Sequence, residues 1–221
     1  MTIALQGSDT ANSTTITMPS HAAGDLLLFF AYRDNSATVP TIPSGWITRV
    51  SLSQSVGSLA IAYKHAQSNA ETSGTWTNAT QIFASVWRGD PNTLIFPNYI
   101  SSNNATSTTI NYLSQTANTF QTNASDQALV GWVANRNSAN TLSSPSGMTL
   151  AQSATDGSAW QTRLDYQLSR TTIWASTNVS VTNSAAWRTF VLSLVESAVY
   201  GVSGGGGGLM LPNAFSGGYD G

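Results

Sequence analysis

Cysteine is absent from this chain, which excludes disulfides and thiolate metal sites. Charge is scarce too. Only 8% of the 221 residues are Asp, Glu, Lys or Arg, against roughly 25% in an average soluble protein. There is a single lysine, Lys64, and no basic cluster, so the electrostatic footprint of a nucleic-acid binder is missing. No apolar run approaches the roughly 18 to 20 residues of a membrane helix. The segment Met1-Thr-Ile-Ala-Leu-Gln-Gly-Ser-Asp9 has neither a basic nor an apolar region, so a signal peptide is not expected. With two histidines, His21 and His65, and no second ligand type at a suitable spacing, neither a metal site nor a Ser-His-Asp triad is expected. Both are read as solvated histidines.

What is present is apolar and hydroxyl-rich. Hydrophobic residues make up 41% and aromatics 10%, so the low charge does not signal disorder. Ser, Thr, Asn and Gln carry the polarity; Thr suits strands, while Asn and Ser suit turns. The many Asn-x-Ser/Thr triplets, such as those at Asn78 and Asn178, follow from that composition.

Two stretches dominate. Leu26 to Tyr32, behind Gly24-Asp25, is a nearly continuous apolar run, as expected of a central strand buried on both faces. Leu129 to Arg136 repeats it about 103 positions later. Shorter strands are expected at Ile3 to Leu5, Thr14 to Met18, Leu59 to Lys64, Thr75 to Thr77 and Ile82 to Arg88, with a turn at Gly7 to Asp9. Trp46, Thr48, Val50 and Leu52 alternate as one face of another strand. Leu94 to Phe96 and Thr108 to Tyr112 read as two strands of a crossover spanning residues 93 to 120, with Ser101 to Thr106 between them. Short strands spaced by turn signals are the pattern of a sandwich or barrel.

The second half matches the first in order. Pro43-Ser-Gly-Trp46 corresponds to Pro145-Ser-Gly-Met148, Ile61-Ala-Tyr63 to Leu164-Asp-Tyr166, and the closing strand Ile82 to Arg88 to Thr189 to Val195. The expected architecture is all-β: one antiparallel β-sandwich over residues 1–200, built from repeated halves at about 8–90 and 115–197. An open five-stranded sheet leaves an apolar face uncovered, so the halves are expected to interleave like a jelly roll. Arg33 and Arg136 would then sit at equivalent strand ends. Residues 201–221 form a Gly-rich apolar tail, with Gly204 to Gly208 as a flexible linker.

No residue pattern announces a reaction. A glycosidase needs two carboxylates facing one cleft. Most acids here flank turns, where Asp bonds its own backbone; Asp165 and Glu196 are the ones in strand-like surroundings. No catalytic, cofactor-binding or metal-binding residue is assigned. Of the seven tryptophans, Trp46, Trp87 and Trp132 lie in apolar strands and are expected in the core. Trp160 and Trp174 have polar neighbours and are the candidates for an exposed glycan contact.

The run Gly24-Asp-Leu-Leu-Leu-Phe-Phe-Ala31, then Pro43-Ser-Gly-Trp46, Ala60-Ile-Ala-Tyr-Lys64 and the closing strand to Arg88-Gly89, resembles a family of uncharacterised proteins from tailed-phage and prophage structural gene clusters. The resemblance covers most of residues 8 to 196. It implies a jelly-roll-like virion protein and brings no catalytic residues. The expected role is a non-enzymatic structural protein on the virion surface, most simply a capsid decoration or cement protein. A tail-fibre or tail-tip protein that binds host glycans is the alternative. Partners would be other virion proteins and copies of itself, with a trimer fitting either role; no nucleic acid or membrane is expected. An apolar segment on a tether needs a partner, so Leu209, Met210, Leu211, Phe215 and Tyr219 are the expected contact residues.

Overall fold

The computed structural model describes residues 3–91, 93–115, 127–169 and 174–198. Arg170, the Gly-rich tail and its five candidate contact residues lie outside them. No helix occurs among the described residues. The strands are β1 (Ala4–Ala11), β2 (Leu26–Asp34), β3 (Ile47–Leu52), β4 (Gly57–His65), β5 (Gln81–Arg88), β6 (Thr93–Tyr112), β7 (Gln127–Asn135), β8 (Thr149–Thr155), β9 (Gln161–Leu168) and β10 (Thr177–Ala198).

These make two five-stranded antiparallel sheets, ordered β1-β5-β2-β4-β3 and β6-β10-β7-β9-β8. The two orders are the same once the second five strands are renumbered. The duplication expected from sequence is therefore present strand for strand, down to a bulge at the same place in β3 (between Thr48 and Val50) and in β8 (between Leu150 and Gln152). The all-β sandwich is as expected, but the halves do not interleave. Each half completes its own sheet, with β2 held between β5 and β4 of its own repeat. The second sheet begins with β6 at Thr93, ahead of the expected start near 115.

Register also corrects the spacing. Leu28 faces Tyr63 in the first sheet as Val130 faces Tyr166 in the second, and Phe30 faces Phe83 as Trp132 faces Phe190. Position 28 thus corresponds to 130, one residue short of the sequence match. A one-residue slip exchanges the faces of a strand. Arg33 therefore corresponds to Asn135, and Arg136 to Asp34; the two arginines are not equivalent.

The sheets pack face to face. Leu26, Leu28, Phe30 and Tyr32 meet Ala128, Val130, Trp132 and Ala134 in one buried cluster. Phe30 stacks on Trp132 with ring centroids 6.1 Å apart, and Arg136 Nε donates to Asp34 Oδ1 at 3.1 Å. Each of these contacts joins a position to its own equivalent. An approximate two-fold axis therefore runs between β2 and β7. Consistent with it, β1 lies against β8, where Ser8 Oγ donates to the Ala151 carbonyl at 3.3 Å and Gln152 Nε2 to the Ser8 carbonyl at 3.0 Å. In the same way β3 reaches β6, where Arg49 donates to the Asn98 carbonyl.

The outer faces are closed as well, which is how an open sheet can be apolar on both sides. On the first sheet, the connections carrying Ile16, Met18, Val39, Ile42, Trp46 and Trp76 cover Leu27, Phe29 and Ala31. On the second, β6 and β10 run on past the length of their equivalents and fold back. Thr189 Oγ1 donates to the Asn111 carbonyl at 2.8 Å and Gln115 Nε2 to the Val191 carbonyl at 2.7 Å. This ribbon brings Ile110, Tyr112, Val179 and Val181 over Leu129 and Val133. The bend coincides with the break in pairing between Ser180 and Ala185.

Several local expectations change accordingly. Gly7 to Asp9 lies within β1, paired with β5, and is not a turn. Thr14 to Met18 and Thr75 to Thr77 are not strands; they are covering segments, joined by a Trp76 N–H to Thr14 carbonyl bond of 2.8 Å. Leu94 to Phe96 and Thr108 to Tyr112 belong to one strand, because the polar stretch between them pairs along β10. The β3 bulge breaks the expected alternation. Trp46 joins the outer cluster, while Val50 and Leu52 pack on the inner one.

Candidate functional site

The tryptophans divide only partly as expected. Trp46, Trp87 and Trp132 are in the core. Trp160 and Trp174 are too, at 4% and 8% exposure, so neither forms an open sugar platform. Trp160 meets Tyr32 edge-on at 5.9 Å, and Trp174 meets Tyr112 at 6.5 Å. Each ring packs against an aromatic residue distant in sequence. Of the two histidines expected to be solvated, His21 is buried and His65 is half-buried. His21 is 8% exposed; its Nδ1–H donates to the Pro19 carbonyl at 2.7 Å, and its Nε2 accepts the Glu71 N–H at 3.1 Å. His65 Nε2 donates to the Ile95 carbonyl at 2.8 Å, tying β4 to β6. No group of three potential metal ligands occurs among the described residues.

Two concave features stand out among the described residues. The first is a polar groove of about 260 Å³ beside the β8–β9 hairpin, lined by Asn140, Thr141, Leu142, Ser153, Ala154, Thr155, Gln161, Thr162 and Arg163. One lining residue, Arg163, is held in an ion pair with Asp165 behind it. Arg163 Nε bonds both Asp165 oxygens at 2.9 Å, and Arg163 NH1 donates to the Leu142 carbonyl at 3.0 Å. Ser144 Oγ donates to Asp165 Oδ1 at 2.6 Å and accepts from Arg163 NH2. Asp165 is 0% exposed. Burial raises its pKa, partly offset by Ser144 and Arg163. In the first repeat the same two positions are Ala60 and Ala62.

The groove wall is equally fixed. Asn140 Nδ2 donates to Asn135 Oδ1 at 3.0 Å and to the Asn183 carbonyl at 2.9 Å, and its Oδ1 accepts the Asn183 N–H at 2.8 Å. Gln161 Nε2 holds the Asn137 carbonyl at 2.7 Å. At the far end of the hairpin, Asp156 accepts the N–H groups of Ser158, Ala159 and Trp160. Burial alone would raise its pKa, but these donors outweigh that and hold it at about 2. Hydroxyls, amides and one neutralised guanidinium in a preformed cleft suit recognition of a neutral polar ligand by hydrogen bonds.

The second feature is a narrow cleft at one end of the sandwich, between Tyr32, Val56 and Gly57 of the first repeat and Ala134, Arg136, Ala186, Trp187 and Arg188 of the second. Tyr32 OH donates to Asp34 Oδ1 at 2.9 Å. Burial and the adjacent carboxylate push the Tyr32 pKa far up, so it stays a neutral phenol. Gly57 is required here by close approach: a Cβ would lie 2.6 Å from Tyr32 OH.

Of these groove and cleft residues, sequence reasoning singled out Asp165, as an acid in a strand, and Arg136, as a strand-end arginine, and gave neither a binding role. The match of Ile61-Ala-Tyr63 to Leu164-Asp-Tyr166 is in the register the structure shows and already sets Asp165 against Ala62; extending it by one residue sets Arg163 against Ala60. Compared with protein-family models, curated proteins and solved structures, the chain matches none.

Proposed function

We propose that this chain is a non-enzymatic structural protein of a tailed-phage virion, a decoration or cement subunit on the capsid that acts with copies of itself. The observation that carries this reading is the closure of both sheets on both faces, which makes a rigid body that meets partners through its strand edges, loop tips and ends. The use of the acids supports it. Asp25 holds Arg88 in a bidentate pair at 2.7 Å, Asp34 holds Tyr32 and Arg136, Glu71 holds Lys64 at 2.6 Å, and Glu196 accepts from Thr93 Oγ1 at 2.8 Å. Each is spent on joining one segment to another. Assembly is assigned to the apolar residues Leu209, Met210, Leu211, Phe215 and Tyr219 behind the glycine linker. Deleting residues 204–221 should leave the sandwich folded and abolish incorporation into particles; normal incorporation of the truncated chain would refute the assignment.

The polar groove favours a second reading, a tail-tip protein that binds host glycans. Here the ligand site is the groove and not Trp160 or Trp174. Ser153→Trp, which fills the groove from an exposed position, would abolish selective binding on a glycan array. Particle imaging separates the two readings: many copies over the head shell support decoration, and a few copies at the tail tip support host recognition.

A further inference from the structure

The end cleft contains a strongly unbalanced group, with two buried donor atoms unpaired. Arg188 lies on the inner face of β10, one pair beyond Phe190, and is 6% exposed. Its Nε and NH2 have no hydrogen-bond partner. The guanidinium carbon sits 5.9 Å from the Phe190 ring centroid, a weak substitute for solvation. The repeat shows what belongs here. Tyr32 faces Gln81 across β2 and β5 as Ala134 faces Arg188 across β7 and β10. Gln81 is a neutral amide with both ends satisfied: Thr162 Oγ1 donates to its Oε1, and its Nε2 donates to Thr10 Oγ1 at 3.3 Å.

The second repeat thus has a buried cation where the first has a satisfied amide. A buried charge left uncompensated is strongly destabilising, and unmade hydrogen bonds of a charged group add to that. The carboxylate beside the cleft, Asp34, is already shared by Tyr32 and Arg136. The cavity holds about 10 Å³, room for roughly one water-sized body.

We infer that this cleft is a binding site for one compact monovalent anion, a halide or the carboxylate head of a very small acid, held by Arg188 with Arg136 beside it and Trp187 as a wall. The anion satisfies the free Arg188 donors and locks the two repeats together at this end. A phosphate or sugar is too large for it.

The test uses the full chain. Chloride binding is read from the excess quadrupolar NMR line width of chloride, titrated with protein and competed with sodium formate. The expected result is saturable broadening that Arg188→Gln, the first repeat's own residue, abolishes while the fold is kept. Displacement by formate shows that a carboxylate is also accepted; no displacement restricts the site to halides. Broadening that never saturates in the wild-type protein, or that persists in Arg188→Gln, overturns the inference. Should Arg188→Gln fail to fold, the wild-type saturation decides alone.

Discussion

The two repeats build the same sheet and cover its outer face differently. In the first, Phe29 projects outward from the central strand; Trp76 stacks on it at 5.2 Å and Trp46 meets it edge-on at 4.5 Å. In the second, the position of Phe29 is Gly131, and the space is taken by Met148, at the position of Trp46. Ala60 and Ala62 beside Phe29 become Arg163 and Asp165. The first cover is a set of loops packed by aromatics. The second is a folded-back ribbon with an ion pair at its margin and a polar groove beside it. One topology therefore supports a purely apolar cover and a cover edged by an ion pair and a polar groove. The inner faces, which must match each other, changed least in character.

The largest test of that contrast is Phe29→Ala. It removes the residue around which the aromatic cover is organised, and should cost about 3–5 kcal/mol in urea unfolding. Met148→Ala should cost less, since the second cover does not depend on a single ring; an equal or larger cost would break the comparison. Next comes the ion pair. Arg163→Ala leaves Asp165 buried and unpaired, an expected loss of about 3 kcal/mol or more. The double variant Arg163→Ala/Asp165→Ala restores the first repeat's residues at both positions and should recover most of that loss. If the double variant is as unstable as the single, the pair does more than neutralise itself.

A smaller effect separates the repeats by pH. His65 corresponds to Leu168, as Leu26 opposite His65 corresponds to Ala128 opposite Leu168. Burial lowers the His65 pKa below its ordinary 6.5, only partly offset by its bond to the Ile95 carbonyl. With the folded value depressed, the unfolded chain takes up the proton first as pH falls. The His65 contribution is thus fully present above pH 6.5 and lost as pH falls below it towards the folded value. The unfolding midpoint should drop through that window, and His65→Gln should flatten the drop. The smallest effect expected is for Gly131→Ala. Its Cβ would lie 2.8 Å from Met148 Sδ, the movable end of a flexible chain, and stability should stay within about 1 kcal/mol of wild type.

How legible this was in the sequence varied with the kind of signal. Leu26 to Tyr32 could be read as a doubly buried central strand because seven apolar residues in a row leave few other places to go. That same uniformity hid the register: a strand apolar on both faces has no alternation to fix which side is which. The match of Arg33 to Arg136 was one residue out for this reason. The stretch Ser101 to Thr106 read as a loop because an edge strand with polar side chains carries no apolar period. Its membership of β6 depends on pairing with β10, distant in sequence. The groove was hidden differently. The match of Ile61-Ala-Tyr63 to Leu164-Asp-Tyr166 set Asp165 against Ala62, but only the fold shows that Arg163 and Ser144 satisfy it, and Trp160 looks exposed until Tyr32 is seen to lie against it.

The central claim is that each repeat completes one sheet and that equivalent positions then face each other across the core. The most direct measurement is a set of proton–proton Overhauser contacts on labelled protein. Contacts between the Phe30 and Trp132 rings, with β2 backbone amides showing cross-strand contacts to β4 and β5 only, are the predicted result. Cross-strand contacts from β2 to any strand of the second repeat, with no Phe30–Trp132 contact, would mean that the halves interleave and would contradict the account.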